Sequence, residues 1–257
     1  MGAQEAVMTH VRERVAWVTI NRPERLNALA PETFARLTEV SLQLDEDPEV
    51  RVVVYTGAGE RAFSAGVDLK ALDQAGTIAN PMRRPGRNLN EVVLEMAKPT
   101  IAAINGVAVG GGCELAMACD IRIAVAGARL GLPEARVGLG ANFGSVLMPQ
   151  LIGRGKALEL MFTGDLVGAD EAHRLGLVNH VVEPEELVGF TQTLAQRIAD
   201  NAPLSIQRMK ATVLKSVGLP TAAALRLSVG PDPYGSEDRK EGARAFVEKR
   251  KPVFKGR

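Results

Sequence analysis

The stretch that decides the fold is Asn105-Gly106-Val107-Ala108-Val109-Gly110-Gly111-Gly112-Cys113-Glu114-Leu115-Ala116-Met117-Ala118-Cys119-Asp120. The apolar run before it predicts a strand over 100–104, which ends at the turn signal Asn105-Gly106. Three consecutive glycines allow the backbone to approach another group closely. A helix is predicted to begin at about Gly111, and the unpaired N–H groups at its start attract negative charge.

Glu114 lies in the first turn of that helix, and two interpretations follow. In the first, the glycines form a tight crossing and the carboxylate complements the helix dipole. In the second, the unpaired N–H groups form an oxyanion site with a carboxylate beside it. The stretch Phe63-Ser64-Ala65-Gly66-Val67-Asp68-Leu69-Lys70 has the same ingredients. Spacing alone does not show whether both loops direct an N–H group at one oxygen.

Outward from these loops, the first 145 residues alternate strands with helices. The patterns predict strands over 15–20 and 51–55, a helix from Pro31, and helices over 68–76 and 88–97. The stretch Thr77–Arg87 is predicted to be a mobile surface loop. Later segments are mainly helical: 155–162, 169–175, 184–200, 203–217 and 236–251. The prediction is an α/β core over 1–200 and a C-terminal helical domain over 201–257.

The composition excludes several classes of protein. Of 257 residues, 46% are hydrophobic and 24% are charged, which is typical of a folded globular chain. Lys+Arg 31 against Asp+Glu 30 gives a net charge of +1, so we expect no nucleic-acid partner. Two cysteines exclude a disulfide framework, and no apolar run approaches a membrane span. We therefore expect a cytoplasmic protein with no membrane partner, and with only three histidines no metal site.

One near match to a different chemistry is Ala62-Phe63-Ser64-Ala65-Gly66, which resembles the nucleophile elbow of hydrolases with an alanine at its first position. A serine hydrolase would also need a histidine and an acid. His173 or His180 could serve with Asp165 or Asp170. This alternative predicts covalent labelling of Ser64 by a fluorophosphonate.

Over nearly the whole chain, the sequence resembles the crotonase (enoyl-CoA hydratase/isomerase) superfamily. The matching motifs are Asn21-Arg22-Pro23, Leu26-Asn27-Ala28-Leu29, Phe63–Lys70, Asn105–Asp120, Leu132-Pro133-Glu134, Thr163-Gly164-Asp165, Ala169–Val182 and Arg244–Arg250. Each motif is weak alone, whereas their joint order and spacing are specific. The resemblance implies a spiral of ββα units with a C-terminal α-helical trimerisation domain. It also implies a homotrimer or a hexamer built as a dimer of trimers.

The resemblance further implies an acyl-CoA thioester substrate, whose coenzyme A is part of the substrate, and no separate cofactor. By position, the catalytic residues are Glu114 and Glu134, and the oxyanion-hole amides are those of Val67 and Gly111. The implied substrate contacts are Arg25, Leu26, Ala28, Ala65, Val67, Asp68, Leu69, Lys70, Gly110, Gly111 and Pro133. The implied acyl pocket is Leu139, Asn142 and Phe143.

The acyl-pocket segment departs from the family pattern. Hydratases of this type commonly read Gly-x-x-Pro-Gly-x-Gly-Gly-Thr, whereas here Ala141-Asn142 replaces Pro-Gly and Ser145-Val146 replaces Gly-Thr. Asparagine tolerates a positive φ, although less freely than glycine does. The sequence therefore predicts a 2-enoyl-CoA hydratase that reversibly forms a 3-hydroxyacyl-CoA. An enoyl-CoA isomerase or a specialised acyl-CoA dehydratase on the same scaffold is the alternative, and a non-catalytic acyl-CoA binding protein is a further one.

Overall fold

The computed structural model describes residues 5–75 and 86–257. The loop predicted over 77–87 lies, except for Gly86 and Arg87, outside the described residues. Within the described ranges the chain forms two β-sheets with helices packed around them. The predicted alternation of strands and helices, which defines the α/β class, is confirmed.

The larger sheet has six strands. In spatial order they are β1 (Val7–Arg12), β2 (Val15–Ile20), β3 (Val52–Gly57), β5 (Thr100–Ile104), β7 (Ile121–Val125) and β10 (His180–Val182). β1 and β2 pair antiparallel, and every later pair in this sheet is parallel. Val52 to Tyr55 are fully buried. Their apolar, largely β-branched run suits a parallel strand that is covered on both faces.

The smaller sheet has four short strands. They are β4 (Ala62–Ser64), β6 (Val107–Val109), β8 (Arg129–Gly131) and β9 (Val167–Gly168). Along the chain β4 follows β3, β6 follows β5 and β8 follows β7, so each pair contributes one strand to each sheet. Repeating this step produces the spiral of ββα units that the resemblance implied. It also places the ends of β4 and β6 side by side, because Ala62 pairs with Val107 and Ser64 with Ala108.

The helices surround these sheets. They are α1 (Pro31–Glu46), α2 (Leu69–Ala75), α3 (Leu89–Glu95), α4 (Gly111–Ala118), α5 (Gly144–Ile152), α6 (Arg154–Thr163), α7 (Ala169–Leu175), α8 (Leu187–Ala199), α9 (Pro203–Ser216), α10 (Thr221–Ala224) and α11 (Glu237–Val247). Pro31 occupies the first turn of α1, whose inward face buries Leu37, Val40 and Leu44. The 3.6-residue spacing of these apolar side chains explains why the segment is helical.

The structure confirms most predicted helices and corrects others. α7 has the predicted bounds, whereas the segment predicted over 184–200 begins with a 3-10 turn at Pro184–Glu186. The helix predicted over 236–251 ends at Val247, and Lys249 beyond it has a left-handed φ of 53°. The sequence analysis did not predict α5, whose interior Pro149 is a residue that usually ends a helix.

The last helices lie against the sheet layer through polar contacts. Lys210 of α9 donates to the Asp120 carboxylate at 2.8 Å and to the Lys98 carbonyl at 3.0 Å. Large apolar side chains of this region face outward, including Phe246 at 86% and Val247 at 80% exposure. The division into residues 1–200 and 201–257 stays a prediction.

Two negative findings concern the residues that the structure describes. None of their helices combines the length and the apolar character that crossing a membrane requires. No group of three or more His, Cys, Asp or Glu side chains among them is arranged to hold a metal ion. Cys113 and Cys119 are both buried and free, and burial raises the pKa of each thiol to about 12, so neither is a reactive thiolate at neutral pH.

Candidate active site

The site begins where the loop after β4 crosses the loop after β6. Gly66 has a φ of +81°, and a Cβ built on it would lie 2.6 Å from the Val109 carbonyl oxygen and 3.1 Å from the Gly111 nitrogen. No side chain fits that crossing. The Leu29 N–H donates to the Gly66 carbonyl, and the Asp68 N–H donates to the Leu29 carbonyl. This bridge holds Val67 beside the start of α4 and does not use the Val67 N–H.

The glycine triplet makes the second half of the crossing. Gly110 has φ 54° and ψ −130°, which is a backbone conformation that glycine readily adopts. A Cβ on Gly112 would lie 2.4 Å from the Ser64 carbonyl oxygen, so α4 packs directly on the end of β4. Gly111 is the first residue of α4, so its N–H has no partner within the helix.

Two amides are consequently left without protein acceptors. Within residues 5–75 and 86–257, neither the Val67 N–H nor the Gly111 N–H donates a hydrogen bond to a protein atom. The Val67 side chain approaches Gly111, because its Cγ2 atom lies 3.6 Å from a Cβ built there. The structure thus brings together the two amides that the resemblance identified. Their role in binding an oxyanion stays a prediction.

Glu114 lies one turn into α4 and is held at both carboxylate oxygens. Its Oε1 atom accepts a hydrogen bond of 2.8 Å from the Gly144 N–H. Its Oε2 atom accepts one of 3.4 Å from the Asn90 side-chain amide. Burial raises the pKa of Glu114, and the backbone N–H groups of Gly144 and Phe143 oppose that rise. A carboxylate that accepts hydrogen bonds in this way is stabilised in its charged form.

Glu134 approaches the start of α4 from a separate element. It opens a 3-10 turn, Glu134–Val137, directly after Pro133. Its Oε1 atom lies 3.2 Å from a Cβ built on Gly110, next to the start of α4. Its Oε2 atom is buried and has no hydrogen-bond partner among the described residues. Burial raises the pKa of Glu134 to about 7, its own backbone N–H opposes the rise, and the negative charge of Glu114 adds to it.

The loop before α1 supports these elements. Leu26 and Asn27 both have left-handed φ values, and the Leu26 carbonyl accepts a hydrogen bond from the Ala65 N–H. Asn27 is fully buried, and its side chain donates to the carbonyls of Ala58 and Ala62. Asparagine is one of the few residues that tolerate a left-handed backbone, and its side-chain amide fills the space between the two loops. The predictions did not include Asn27 among the functional residues.

Asp68 joins two loops by hydrogen bonds, and its predicted contact with substrate stays a prediction. Its carboxylate accepts hydrogen bonds from the Ala71 N–H at 3.3 Å and from the Arg22 guanidinium at 3.1 Å. Burial raises the pKa of Asp68, but these donors outweigh burial and lower it. The same guanidinium donates to the carbonyl of Ala28, which joins the two loops.

The remaining predicted contacts lie around this crossing. Arg25, Leu26, Leu69 and Lys70 are exposed, and Ala65 and Val67 are half-buried. Arg25 ends the 3-10 turn Pro23–Arg25, and Lys70 lies in the first turn of α2. Their predicted contact with substrate phosphates stays a prediction.

The departing acyl-pocket segment has a clear local structure. The Leu139 N–H donates to the Glu134 carbonyl, and the Phe143 side chain is buried in the main core. Asn142 donates to the Gly140 carbonyl at 3.2 Å. Asn142 does not have a positive φ, so its ability to adopt one plays no part here. The left-handed residue in this segment is Gly138, with φ 70°.

Gly144, which follows Phe143, was missed as a site residue. It begins α5, and its N–H holds Glu114. A Cβ on Gly144 would lie 2.4 Å from the Leu132 side chain and 3.4 Å from the Glu114 Oε1 atom. The departing segment therefore still delivers a backbone N–H group to a site carboxylate. Its signal in the sequence is the glycine that it shares with the family pattern over 138–146.

The structure contradicts the serine-hydrolase alternative. Ser64 is fully buried, its hydroxyl donates to the Asn27 carbonyl at 2.8 Å, and it accepts from the Gly66 N–H at 3.2 Å. His173 and His180 are exposed. The His173 ring contacts the Val178 carbonyl, and the His180 ring packs on Phe190. No catalytic triad forms around Ser64, because its hydroxyl is already used to tie two loops together.

A spiral of ββα units that carries two glutamates beside two unpaired amides defines the crotonase class of fold. The chain belongs to the enoyl-CoA hydratase/isomerase family, whose sequence pattern matches residues 10–257.

Curated relatives and solved structures agree with this assignment. The chain is 38% identical over 258 residues to a crotonyl-CoA hydratase of Syntrophomonas wolfei, covering 98% of each chain. It is 43% identical over 244 residues to a short-chain-enoyl-CoA hydratase of Clostridium acetobutylicum, covering 93% of each. The crystal structure of an enoyl-CoA hydratase from Bacillus anthracis superposes with a TM-score of 0.90 at 34% identity, covering 98% of this chain and 100% of that one.

Proposed function

We propose that this protein hydrates 2-enoyl-CoA thioesters to 3-hydroxyacyl-CoA thioesters. The observation that carries the proposal is the pair of carboxyl groups, Glu114 on α4 and Glu134 beside Gly110, next to a glycine crossing whose two N–H groups have no acceptor among the described residues. The relatives named as crotonyl-CoA hydratase and short-chain-enoyl-CoA hydratase support the same reaction.

The two amides suit the charge that this reaction develops. When water adds to Cβ, the thioester carbonyl oxygen takes up the electrons of the double bond and becomes an enolate oxygen. The N–H groups of Val67 and Gly111 would donate to that oxygen, and the start of α4 adds the favourable end of its dipole. Preorganised donors of this kind stabilise a transition state by about 3 kcal/mol each.

The two carboxyl groups then divide the proton transfers. Glu114 takes a proton from water as the water oxygen bonds to Cβ. Glu134 gives a proton to Cα as the enolate collapses back to the carbonyl. Both glutamates would also hold the water by hydrogen bonds. One molecule of water is added in total, and exchange with solvent returns the two carboxyl groups to their starting states.

The local contacts support this division of roles. Glu114 accepts hydrogen bonds at both oxygens, which favours the anion that a base requires. Glu134 has a buried Oε2 atom without a partner among the described residues, and burial raises its pKa to about 7, which favours the protonated form. A hydrogen on that oxygen is what a general acid supplies.

Hydration is favoured over the alternatives on the same scaffold. Moving a double bond can proceed with one carboxyl group that takes a proton at one carbon and returns it at another. Adding or removing water requires a second group at the oxygen. Because two carboxyl groups meet here, we prefer a hydratase to an isomerase. A dehydratase is the same reaction in reverse, and the acyl group alone distinguishes it.

Substrate binding and assembly are part of the proposal. Arg25 and Lys70 would contact the phosphates of coenzyme A. Coenzyme A is part of the substrate, and the reaction needs no separate cofactor. The outward apolar side chains of α9 and α11 support a homotrimer, or a hexamer of two trimers, because exposed groups of this kind mark subunit interfaces; they include Met209, Val213, Phe246 and Val247. We further propose that the enzyme works in the cytoplasm, since both cysteines are free.

The test follows the loss of thioester conjugation by ultraviolet absorbance after addition of crotonyl-CoA. Wild type should react rapidly, and Glu114→Gln and Glu134→Gln should each lower kcat at least about 100-fold. The exposed Glu185 provides the matched control, because Glu185→Gln makes the same change away from the site. A wild type that binds crotonyl-CoA but does not hydrate it would contradict hydration of short-chain substrates.

A further inference from the structure

We propose that Asn90 is a positioning residue of this site, whose side-chain amide orients the Glu114 carboxylate and keeps it ionised for activating water. The inference rests on the proposed function, since it concerns the base of that reaction. Nothing in the sequence pattern around Asn90 singles it out. Its position beside Glu114 is visible only in the folded chain.

The first observation is that two elements hold the two oxygens of Glu114 separately. Asn90 lies in the first turn of α3 and is 6% exposed. Its Nδ2 atom donates to the Glu114 Oε2 atom at 3.4 Å, whereas the N–H at the start of α5 donates to Oε1 at 2.8 Å. The backbone hydrogen bond is the shorter one, and the Asn90 contact fixes the rotation of the carboxylate about its last bond.

The second observation is that Asn90 is poorly suited to a purely structural role. Its Oδ1 atom is buried and accepts no hydrogen bond from the residues that the structure describes. Its helix neighbours Leu89, Val92 and Val93 are buried apolar residues. Leucine has the same branching as asparagine, with methyl groups in place of the polar atoms, so it would leave no unsatisfied acceptor here. Asn90 leaves its Oδ1 atom unsatisfied while its Nδ2 atom donates to Glu114. This arrangement indicates that asparagine serves a function here.

The third observation concerns the charges around Glu114. Glu134 lies on the adjacent 3-10 turn, and its charge repels that of Glu114. Cys113, on α4 itself, is a neutral thiol. On α3, Glu91 accepts a hydrogen bond from the Asn88 N–H. α5 carries no charged side chain. Among the described residues no cation pairs with Glu114, so neutral donors must favour its anion, and Asn90 supplies one from a side chain.

The test compares Asn90→Leu with Asn88→Ala in the full-length enzyme. Asn90→Leu should lower kcat for crotonyl-CoA about tenfold or more and change KM less than about twofold, because the base is affected after substrate has bound. The acid limb of kcat against pH should move up by about one unit, since a lost donor raises the pKa of a carboxyl group.

Asn88→Ala is the matched control on the same helix. Asn88 accepts a hydrogen bond from the Glu91 N–H and caps α3, so its loss should lower the Tm. It should leave the acid limb unmoved. If Asn90→Leu and Asn88→Ala gave the same pattern, or if Asn90→Leu left kcat and the acid limb unchanged, Asn90 would have a structural role only and the proposal would be overturned.

A second variant keeps the proposal testable if Asn90→Leu does not fold. Asn90→Asp has the same shape and replaces the donor by a second carboxylate, so the acid limb should move further up. Titration of the Glu114 carboxyl carbon by ¹³C NMR, assigned with Glu114→Gln, separates this proposal from the hydratase proposal. It needs no substrate, and an unchanged Glu114 pKa in both Asn90 variants would overturn the role of Asn90 even in an active hydratase.

Discussion

Glu114 and Glu134 are the same kind of side chain in one site, yet their surroundings differ. Glu114 lies on a helix and accepts hydrogen bonds at both oxygens from α3 and α5. Glu134 lies on a 3-10 turn, and its buried Oε2 atom has no partner. Burial raises the pKa of both. We therefore expect donors, rather than burial alone, to determine which carboxyl group carries the proton.

The largest expected difference between the two glutamates is in proton exchange at Cα. In D₂O, the α-hydrogens of butyryl-CoA exchange by way of the enolate, and this exchange needs a carboxyl group at Cα but no water addition. Glu134→Gln should slow the exchange at least about 100-fold, whereas Glu114→Gln should retain it within about tenfold. ¹H NMR measures both rates. Equal losses in the two variants would contradict the separate roles.

The next effect is on the pH dependence of the two reaction directions. Hydration needs the protonated form of Glu134, so its kcat should fall as pH rises through about 7. Dehydration of 3-hydroxybutyryl-CoA is the reverse of the same step and also starts with one proton in total on the two glutamates, so its kcat should fall with pH as well. Rate profiles in both directions measure this, with Glu185→Gln as a control that should not shift. A hydration kcat that does not fall as pH rises through this range would show that Glu134 does not carry the transferred proton.

A smaller effect concerns stability. Burial raises the pKa of Glu134 from an ordinary 4.5 to about 7, so the folded protein binds more protons than the unfolded chain between these values. Its stability therefore falls as pH rises through this window and then levels off. Because Glu134 is partly exposed, solvent screening reduces the effect to about 1–2 kcal/mol.

Glu134→Gln should accordingly be more stable than wild type by about that amount at pH 8 and equal to it near pH 4. Urea unfolding of the two proteins at both pH values measures the difference. The exposed Glu185→Gln should show no such pH dependence. A constant difference at both pH values would assign the effect to packing rather than to the carboxyl charge.

The smallest expected effect is on activity in Ser64→Ala. Its hydroxyl makes two hydrogen bonds that join loops, so the loss should lower stability by about 1 kcal/mol and change kcat less than about threefold. A fluorophosphonate should leave Ser64 unlabelled in wild type. Covalent labelling of Ser64, or loss of activity without loss of stability, would restore a nucleophilic role.

The sequence predicted the local parts of the site well. One short segment holds Gly110, Gly111, Gly112 and Glu114. A close backbone crossing requires glycine at neighbouring positions, so a local sequence pattern reveals it. The strand before that segment and the helix after it were predicted for the same reason. Glu134, by contrast, came from family resemblance, because no local pattern relates a residue after Pro133 to Glu114 twenty positions earlier.

The parts that the sequence did not predict are long-range contacts. Asn90, Gly144 and Glu114 lie on three different helices and meet only after the sheets have formed. Asn27 fills a gap between two loops, which depends on the left-handed backbone at that place. The departing Ala141–Ser145 segment differs from the family pattern, whereas the Gly144 amide within it still contacts Glu114. The sequence pattern does not show which carboxylate that amide meets, because the contact depends on how α4 and α5 pack.

The central claim is that the donors around the two glutamates give them opposite proton states in one site. The most direct measurement is a ¹³C NMR titration of both carboxyl carbons in the free protein, assigned with Glu114→Gln and Glu134→Gln. We expect Glu134 to titrate near pH 7 and Glu114 at a lower pH. A Glu114 carboxyl that titrates above Glu134, or a Glu134 that titrates near its ordinary value, would contradict the claim.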